Sequence, residues 1–225
     1  MKPVPGDNGG MKEYDPGADG LHNYVWEDDV IPHKFKRLSD MFKISRIEDN
    51  GKTELDIDVM DVKSHFFGYL INTSRLYWRK ETETRFDGDL ASAKAYLSSH
   101  PFEIAGEGLT SYDIREQKLN LINKIFTMGY MLHRYKDFVR AWAPLAMDNK
   151  IGEEDECNGR SGKSFFFKVL SFMMKTVKLS GRNPKLMDNP HVFDQVTQYT
   201  DMLLVDDCDR YLNLGLFYDN ITSDM

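Results

Sequence analysis

Cysteine is scarce in this sequence: Cys157 and Cys208 are the only two among 225 residues. Two thiols cannot build a disulfide scaffold, and without CxxC spacing they do not make a zinc site, so reduced thiols are the default. Long apolar runs are scarce too. The longest, around Phe165 to Met174, is broken by Lys168 and Ser171, which excludes a membrane span. Met1-Lys2-Pro3-Val4-Pro5-Gly6-Asp7 holds no apolar stretch and too few basic or serine residues for a transit peptide, so the chain is expected to be intracellular. A basic surplus is missing as well, since 36 acidic against 29 basic side chains leave a net charge of −7. That balance argues against coating nucleic acid by bulk charge, although a ring that grips one strand with a few loop lysines stays open. His65, His100, His133 and His191 show no HxxxH or HExxH spacing and are read as structural or surface residues.

What is present is enough for a real core. With 41% hydrophobic residues, including 14 Phe, 11 Tyr and 3 Trp, the chain is not disordered throughout. A folded chain of this length buries roughly 70% of its extended surface, as one large domain or two small ones. Residues 1–23 carry Gly6, Gly9, Gly10, Gly17 and Gly20 with Pro3, Pro5 and Pro16, and are expected to be a flexible tail, disordered and without regular elements. Order is expected from Tyr24-Val25-Trp26 onward. Phe42 to Ile47 and Leu55 to Val59 each alternate apolar and polar residues, and Asn50-Gly51 lies between them, which predicts a hairpin. A helix is expected over Val62 to Leu70, a strand over Arg75 to Arg79 and a short helix over Asp89 to Ser99. From Ser111, with Ser111 or Asp113 as cap, Leu119, Ile122, Phe126 and Tyr130 recur at helical steps beside Leu121, Ile125 and Leu132. Residues 24–138 therefore read as a small α+β domain, and 139–225 as the start of an α/β layer.

The second region carries the chemistry. Val139 to Met147 reads as a strand, and the acidic stretch Glu153-Glu154-Asp155-Glu156 leads into Cys157-Asn158-Gly159-Arg160-Ser161-Gly162-Lys163-Ser164. A helix follows, with Phe165, Phe166, Phe167, Met173 and Met174 expected in the core. Strand, glycine-containing loop, Gly-Lys-Ser and helix are the layout of a phosphate-binding P-loop. Such a loop turns backbone N–H groups toward one anion, the helix N-terminus adds its positive end, and the lysine meets the β- and γ-phosphates. Cys157 stands where the full pattern GxxxxGK[ST] has its first glycine. Downstream, Met202-Leu203-Leu204-Val205 is a short apolar run ending in Asp206-Asp207, which matches a Walker B strand. Between the two motifs there is room for the P-loop helix, a strand near Val177 to Leu179, a loop holding Pro184 and Pro190, and a short helix near Val192 to Gln195. The expected roles are Asn158, Gly159, Arg160, Ser161, Gly162, Lys163 and Ser164 around the nucleotide, Ser164 and Asp206 on Mg²⁺, and Lys163 with Asp207 in catalysis, Asp207 by polarising the attacking water.

These residues, preceded by Tyr130-Met131-Leu132-His133-Arg134-Tyr135-Lys136-Asp137, resemble superfamily 3 helicases, in particular the primase-helicases of phages, large DNA viruses and mobile elements. In that subgroup the loop often begins Glu-Pro-Asn-Gly, and Glu156-Cys157-Asn158-Gly159 is similar to it. The resemblance is strongest over 119–218. It implies an AAA+-like P-loop NTPase sheet, ATP and Mg²⁺ as ligands, a homo-hexameric ring, and hydrolysis coupled to translocation along single-stranded or forked DNA in the cytoplasm of a bacterial host. The family continues past Walker B with a basic pore hairpin, a sensor asparagine and an arginine finger, whereas this sequence ends at Met225. It is therefore expected to be an incomplete ATPase domain with negligible hydrolysis on its own. Two other readings stand beside the helicase: a nucleotide-dependent binding module such as a helicase loader or switch, and a non-enzymatic remnant. Glu153 to Glu156 reads as a solvated acidic loop rather than a metal cluster. Cys157 and Cys208, each close to one motif, could approach each other as a redox pair.

Overall fold

The computed structural model describes residues 11–14, 23–26, 41–49, 51–101, 103–132, 142–147, 162–183, 189, 191–208 and 213–217. The chain is mixed α/β and divides into two compact units. One is drawn from Met1–Lys34, Gly129–Asp148 and Gly152–Met225, the other from Phe35–Met128 and Asn149–Ile151.

The first unit opens with β1 (Met11–Tyr14), antiparallel to β2 (Asn23–Trp26), in the register Met11 to Trp26 through Tyr14 to Asn23. β1 corrects the expectation that residues 1–23 hold no regular element. Met-Lys-Glu-Tyr is free of glycine and proline, which lie on either side of it, and Asn-Tyr-Val-Trp supplies the aromatic and β-branched residues that favour strands.

The second unit is built on a hairpin, β3 (Phe42–Asp49) and β4 (Lys52–Val59), paired from Phe42 with Val59 to Asp49 with Lys52. Gly51 sits at φ 76° in the connection, which a residue with a Cβ adopts at a cost. The inward face of β4 delivers Ile57, which is fully buried, and Phe42 on β3 packs its ring 5.4 Å from Phe67. Phe67 belongs to α1 (His65–Ser74), whose apolar positions Phe67, Leu70 and Ile71 recur at three- and four-residue steps and are buried. Ser64 caps that helix by accepting from the Phe67 N–H at 3.4 Å.

The strand expected over Arg75 to Arg79 is not formed. Leu76 and Tyr77 make a turn, and α2 (Trp78–Phe86) begins at Trp78. The helix formers in Arg-Lys-Glu-Thr-Glu prevail over a five-residue alternation, and the Tyr77 N–H is held at 2.9 Å by Oε1 of Gln117 from a distant helix. α3 (Leu90–Ser99) follows with Asp89 as its cap, accepting from the Ala91 and Ser92 N–H groups at 3.0 and 3.3 Å.

α4 (Ser111–Met131) starts one residue beyond its cap. Thr110 Oγ1 accepts from the Asp113 N–H at 3.2 Å while the Asp113 carboxylate accepts from the Thr110 N–H at 2.8 Å, a reciprocal capping box. Lys80 ion-pairs with the same carboxylate, and that contact, ahead of the Thr110 hydrogen bonds, lowers the Asp113 pKa to about 2. The buried residues of α4 are Asp113, Gln117, Leu121, Ile122 and Met128: Leu121 and Ile122 lie inside as the periodicity leads one to expect, whereas Phe126 is exposed and two polar side chains are buried. Gln117 is fully buried, donates from Nε2 to the Ile104 carbonyl at 2.6 Å and receives Tyr77.

The remaining elements belong to the first unit. Tyr130, in the last turn of α4, accepts from the Trp142 N–H at 3.1 Å. Trp142 to Met147 has no regular structure, so the described part of Val139 to Met147 is not the expected strand, and 139–141 lie outside the described residues. Pro144 in its middle lacks the N–H a ladder needs. α5 (Lys163–Leu170) buries Phe166 and Leu170 but leaves Phe165 about half exposed, correcting its assignment to the core. β5 (Thr176–Ser180) and β6 (Met202–Asp206) pair in parallel. Residues 191–195 form successive tight turns instead of the expected short helix. A 3-10 helix, Leu214–Phe217, brings Phe217 against Val192, and Leu179, Phe193, Leu203 and Val205 pack around the two. That cluster packs against one face of the parallel pair.

Candidate functional site

Gly162 precedes Lys163, the first residue of α5, at φ 84°. Glycine enters that left-handed region without the Cβ clash other residues meet, and its carbonyl accepts from the Phe166 N–H at 3.1 Å, starting the helix abruptly. The N–H groups of a first turn have no acceptor inside the helix, and the aligned peptide dipoles put partial positive charge there. An anion is the natural complement.

Ser164, the second residue of α5, donates from Oγ to Oδ1 of Asp206 at 3.2 Å. Asp206 is the last residue of β6. The parallel register runs from Thr176 with Met202 to Ser180 with Asp206, and the Gly181 N–H extends it by donating to the Asp206 carbonyl at 2.8 Å. A Cβ on Gly181 would stand 2.6 Å from Cα of Cys208, so the turn after β5 and the chain after β6 reach each other only because residue 181 is glycine. At the strand start, the Lys175 N–H donates to the Asp201 carboxylate at 2.9 Å, which clips the entry of β5 to that of β6. Asp207 takes φ 57°, a left-handed conformation that aspartate tolerates better than most residues, and turns the chain off the end of the sheet.

Both acids carry a basic partner from β5 or the turn beyond it. Lys178 Nζ lies 2.7 Å from Oδ2 of Asp206, and Arg182 Nε lies 2.8 Å from Oδ2 of Asp207. The Lys178 contact, assisted by the Ser164 hydroxyl, holds the Asp206 carboxyl below the usual carboxylate range against the opposing effect of burial. Burial, with Asp206 and Asp207 adding to it, pushes the Cys208 thiol up. A thiol shifted in that direction holds less of the reactive thiolate, and Cys157, its expected redox partner, lies outside the described residues.

Of the residues singled out in the sequence, Gly162, Lys163, Ser164, Asp206 and Asp207 are described, while Asn158, Gly159, Arg160, Ser161 and the acidic stretch 153–156 lie outside the described residues. Ser164 and Asp206 are brought together, and Asp207 follows directly with Arg182 as its partner. Lys178, Gly181, Arg182 and Asp201 had not been singled out. Lys178 has a visible signal in the alternation Thr-Val-Lys-Leu-Ser, which puts it on the more exposed face of β5 with Thr176 and Ser180.

A hydroxyl and a carboxylate that converge within hydrogen-bond reach are hard oxygen donors, the kind Mg²⁺ takes. Among the described residues no group of three or more His, Cys, Asp or Glu gathers as an all-protein cage. One hydroxyl and one carboxylate fit an ion that draws its other ligands from water and phosphate oxygens. Among the described residues no helix is long and apolar enough to cross a membrane. The chain matches no family model, no curated protein and no solved structure.

Proposed function

We propose that this chain binds ATP with Mg²⁺ at the head of α5 and the end of β6, as the nucleotide-binding part of a replicative DNA helicase resembling superfamily 3. The observation that carries this reading is the 3.2 Å hydrogen bond from Ser164 Oγ to Asp206 Oδ1. It joins the serine of Gly-Lys-Ser to the acid that closes a parallel strand, two residues far apart in sequence that the chemistry of a metal–triphosphate needs side by side.

In this reading the loop from Asn158 to Gly162 and the first turn of α5 surround the phosphates with N–H donors, and Lys163 neutralises their charge. Ser164 and Asp206 hold Mg²⁺, directly or through its water. Bound Mg²⁺ supplies the positive charge that offsets the triphosphate and orders its oxygens. Asp207 orients and polarises the attacking water. Strand translocation and a ring of like copies follow from the family resemblance, and the same site in a helicase loader or switch would bind ATP without unwinding.

The test is equilibrium binding of a fluorescent ATP analogue to the full chain with Mg²⁺, compared with Lys163→Ala. Removing a charge-assisted contact of about 1.5–3 kcal/mol weakens binding about tenfold to a hundredfold. No saturable binding by the wild-type chain refutes the site and favours a remnant without a nucleotide function, whereas binding with equal affinity in the variant refutes this site as the place where the nucleotide is held.

A further inference from the structure

Asp206 spends its two oxygens on two different partners. Oδ1 accepts from Ser164, the other candidate metal ligand, and Oδ2 faces the Lys178 ammonium at 2.7 Å. Lys178 comes from β5, the parallel neighbour of β6, two positions before the Ser180 and Asp206 pair. Its side chain is 62% exposed and that of Asp206 25%, so the ammonium can swing into solvent with little loss of packing. The Asp206 side chain is the more enclosed of the two, and its backbone is held at the strand end by the pairing with β5.

From this geometry we infer that Lys178 is a displaceable counter-ion that occupies Asp206 in the nucleotide-free protein and sets how much Mg²⁺ is needed to load the site. This rests on the nucleotide reading above and adds a regulation to it. A divalent cation entering between Ser164 and Asp206 puts like charge beside the ammonium, so Lys178 must let go of the carboxylate before the ion is held. Lys178 is thereby a positioning residue: it acts on the metal through Asp206. With the ammonium in place the carboxylate is neutralised and kept aimed at the head of α5, and the cation is admitted only at a concentration that outcompetes it.

The experiment is a Mg²⁺ titration of fluorescent ATP-analogue binding to the full chain, comparing wild type with Lys178→Met and Lys178→Arg, with binding in EDTA as the metal-free reference. The exposed position makes both variants compatible with folding. Releasing an exposed ion pair of about 0.2–1 kcal/mol lowers the Mg²⁺ concentration at half-saturation up to about fivefold in Lys178→Met. Binding in EDTA stays as in wild type, and Lys178→Arg, which keeps the charge, restores the wild-type midpoint. An unchanged midpoint in Lys178→Met overturns the inference. Weaker nucleotide binding in that variant also overturns it, because the ammonium would then be acting on phosphate. Failure of the wild-type chain to bind nucleotide is a different result, and it removes the nucleotide reading itself.

Discussion

In the Phe35–Met128 unit, Arg75 meets Glu81 with side chains 3% and 0% exposed, whereas in the other unit Lys178 meets Asp206 at 62% and 25% and Arg182 meets Asp207 at 59% and 60%. The chemical groups are alike and their surroundings are opposite. Arg75 also donates from Nη1 to the His100 carbonyl at 2.8 Å, and Tyr96 Oη donates to Oε1 of Glu81 at 3.3 Å. Gly106 closes over Glu81, where an added Cβ would stand 2.0 Å from its carboxyl carbon. A buried pair enclosed in this way cannot exchange partners, and losing one member strands a charge in the interior. The pairs at the ends of β5 and β6 are solvated and individually weak, which is what a group that must release one cation to accept another requires. The ionic contact is thus enclosed in one unit and open to solvent in the other.

The most severe way to break the contrast is Arg75→Leu. It leaves Glu81 buried without its cation, and the expected loss is about 3–5 kcal/mol of stability. Urea unfolding checks this, and a loss as small as that of a surface substitution would show that the buried pair is not structural. A smaller effect comes from Lys124, whose amine donates to Thr73 Oγ1 and Ser74 Oγ at 3.0 and 3.1 Å and which burial lowers from 10.5 to about 8. Between those values the unfolded chain keeps a proton that the folded chain has lost, so stability rises as pH climbs through this window and is flat below it. Lys124→Met removes the dependence. At about pH 7 it is expected to be more stable than wild type by on the order of 2 kcal/mol, allowing for partial exposure, with the gap closing by about pH 10. An identical gap at both pH values would assign the effect to packing instead of charge.

What could be read from the sequence follows the range of the interaction involved. The β3–β4 hairpin was legible because alternation and Asn50-Gly51 are local, and α3 because Asp89 stands directly before it. The length of α4 was legible, and so were Leu121 and Ile122 on its buried face, but the buried polar residues beside them were not. Apolar periodicity points to Leu119 and Phe126, while the polar Gln117 is drawn inside by Tyr77 and Ile104, which no window around it reveals. Arg75 to Arg79 looked like a strand for the same reason in reverse: its turn is held from α4. Pro144 is a local signal against a strand over Val139 to Met147, and the described part of that run has none. In the candidate site the residues within one motif, Gly162 to Ser164 and Asp206 to Asp207, were legible from local pattern. Their basic partners were not, since Lys178 and Arg182 reach the acids only through the pairing of β5 with β6.

The smallest expected effect is that of Arg182→Gln. Its pair with Asp207 lies in solvent on both sides, so the expected change in stability is within about 0.5 kcal/mol by the same urea measurement that detects Arg75→Leu. The two arginines then differ several-fold in what their removal costs although each faces one carboxylate. Asp207 takes its left-handed turn at φ 57°, and Arg182 faces its carboxylate in solvent, where the pair acts chiefly by masking charge. Raising the salt concentration screens an exposed pair and leaves a buried one almost untouched. The difference between wild type and Arg182→Gln should therefore vanish in high salt while that of Arg75→Leu persists. A salt-independent loss in Arg182→Gln would mean that the end of β6 is built on its ion pairs as the other unit is.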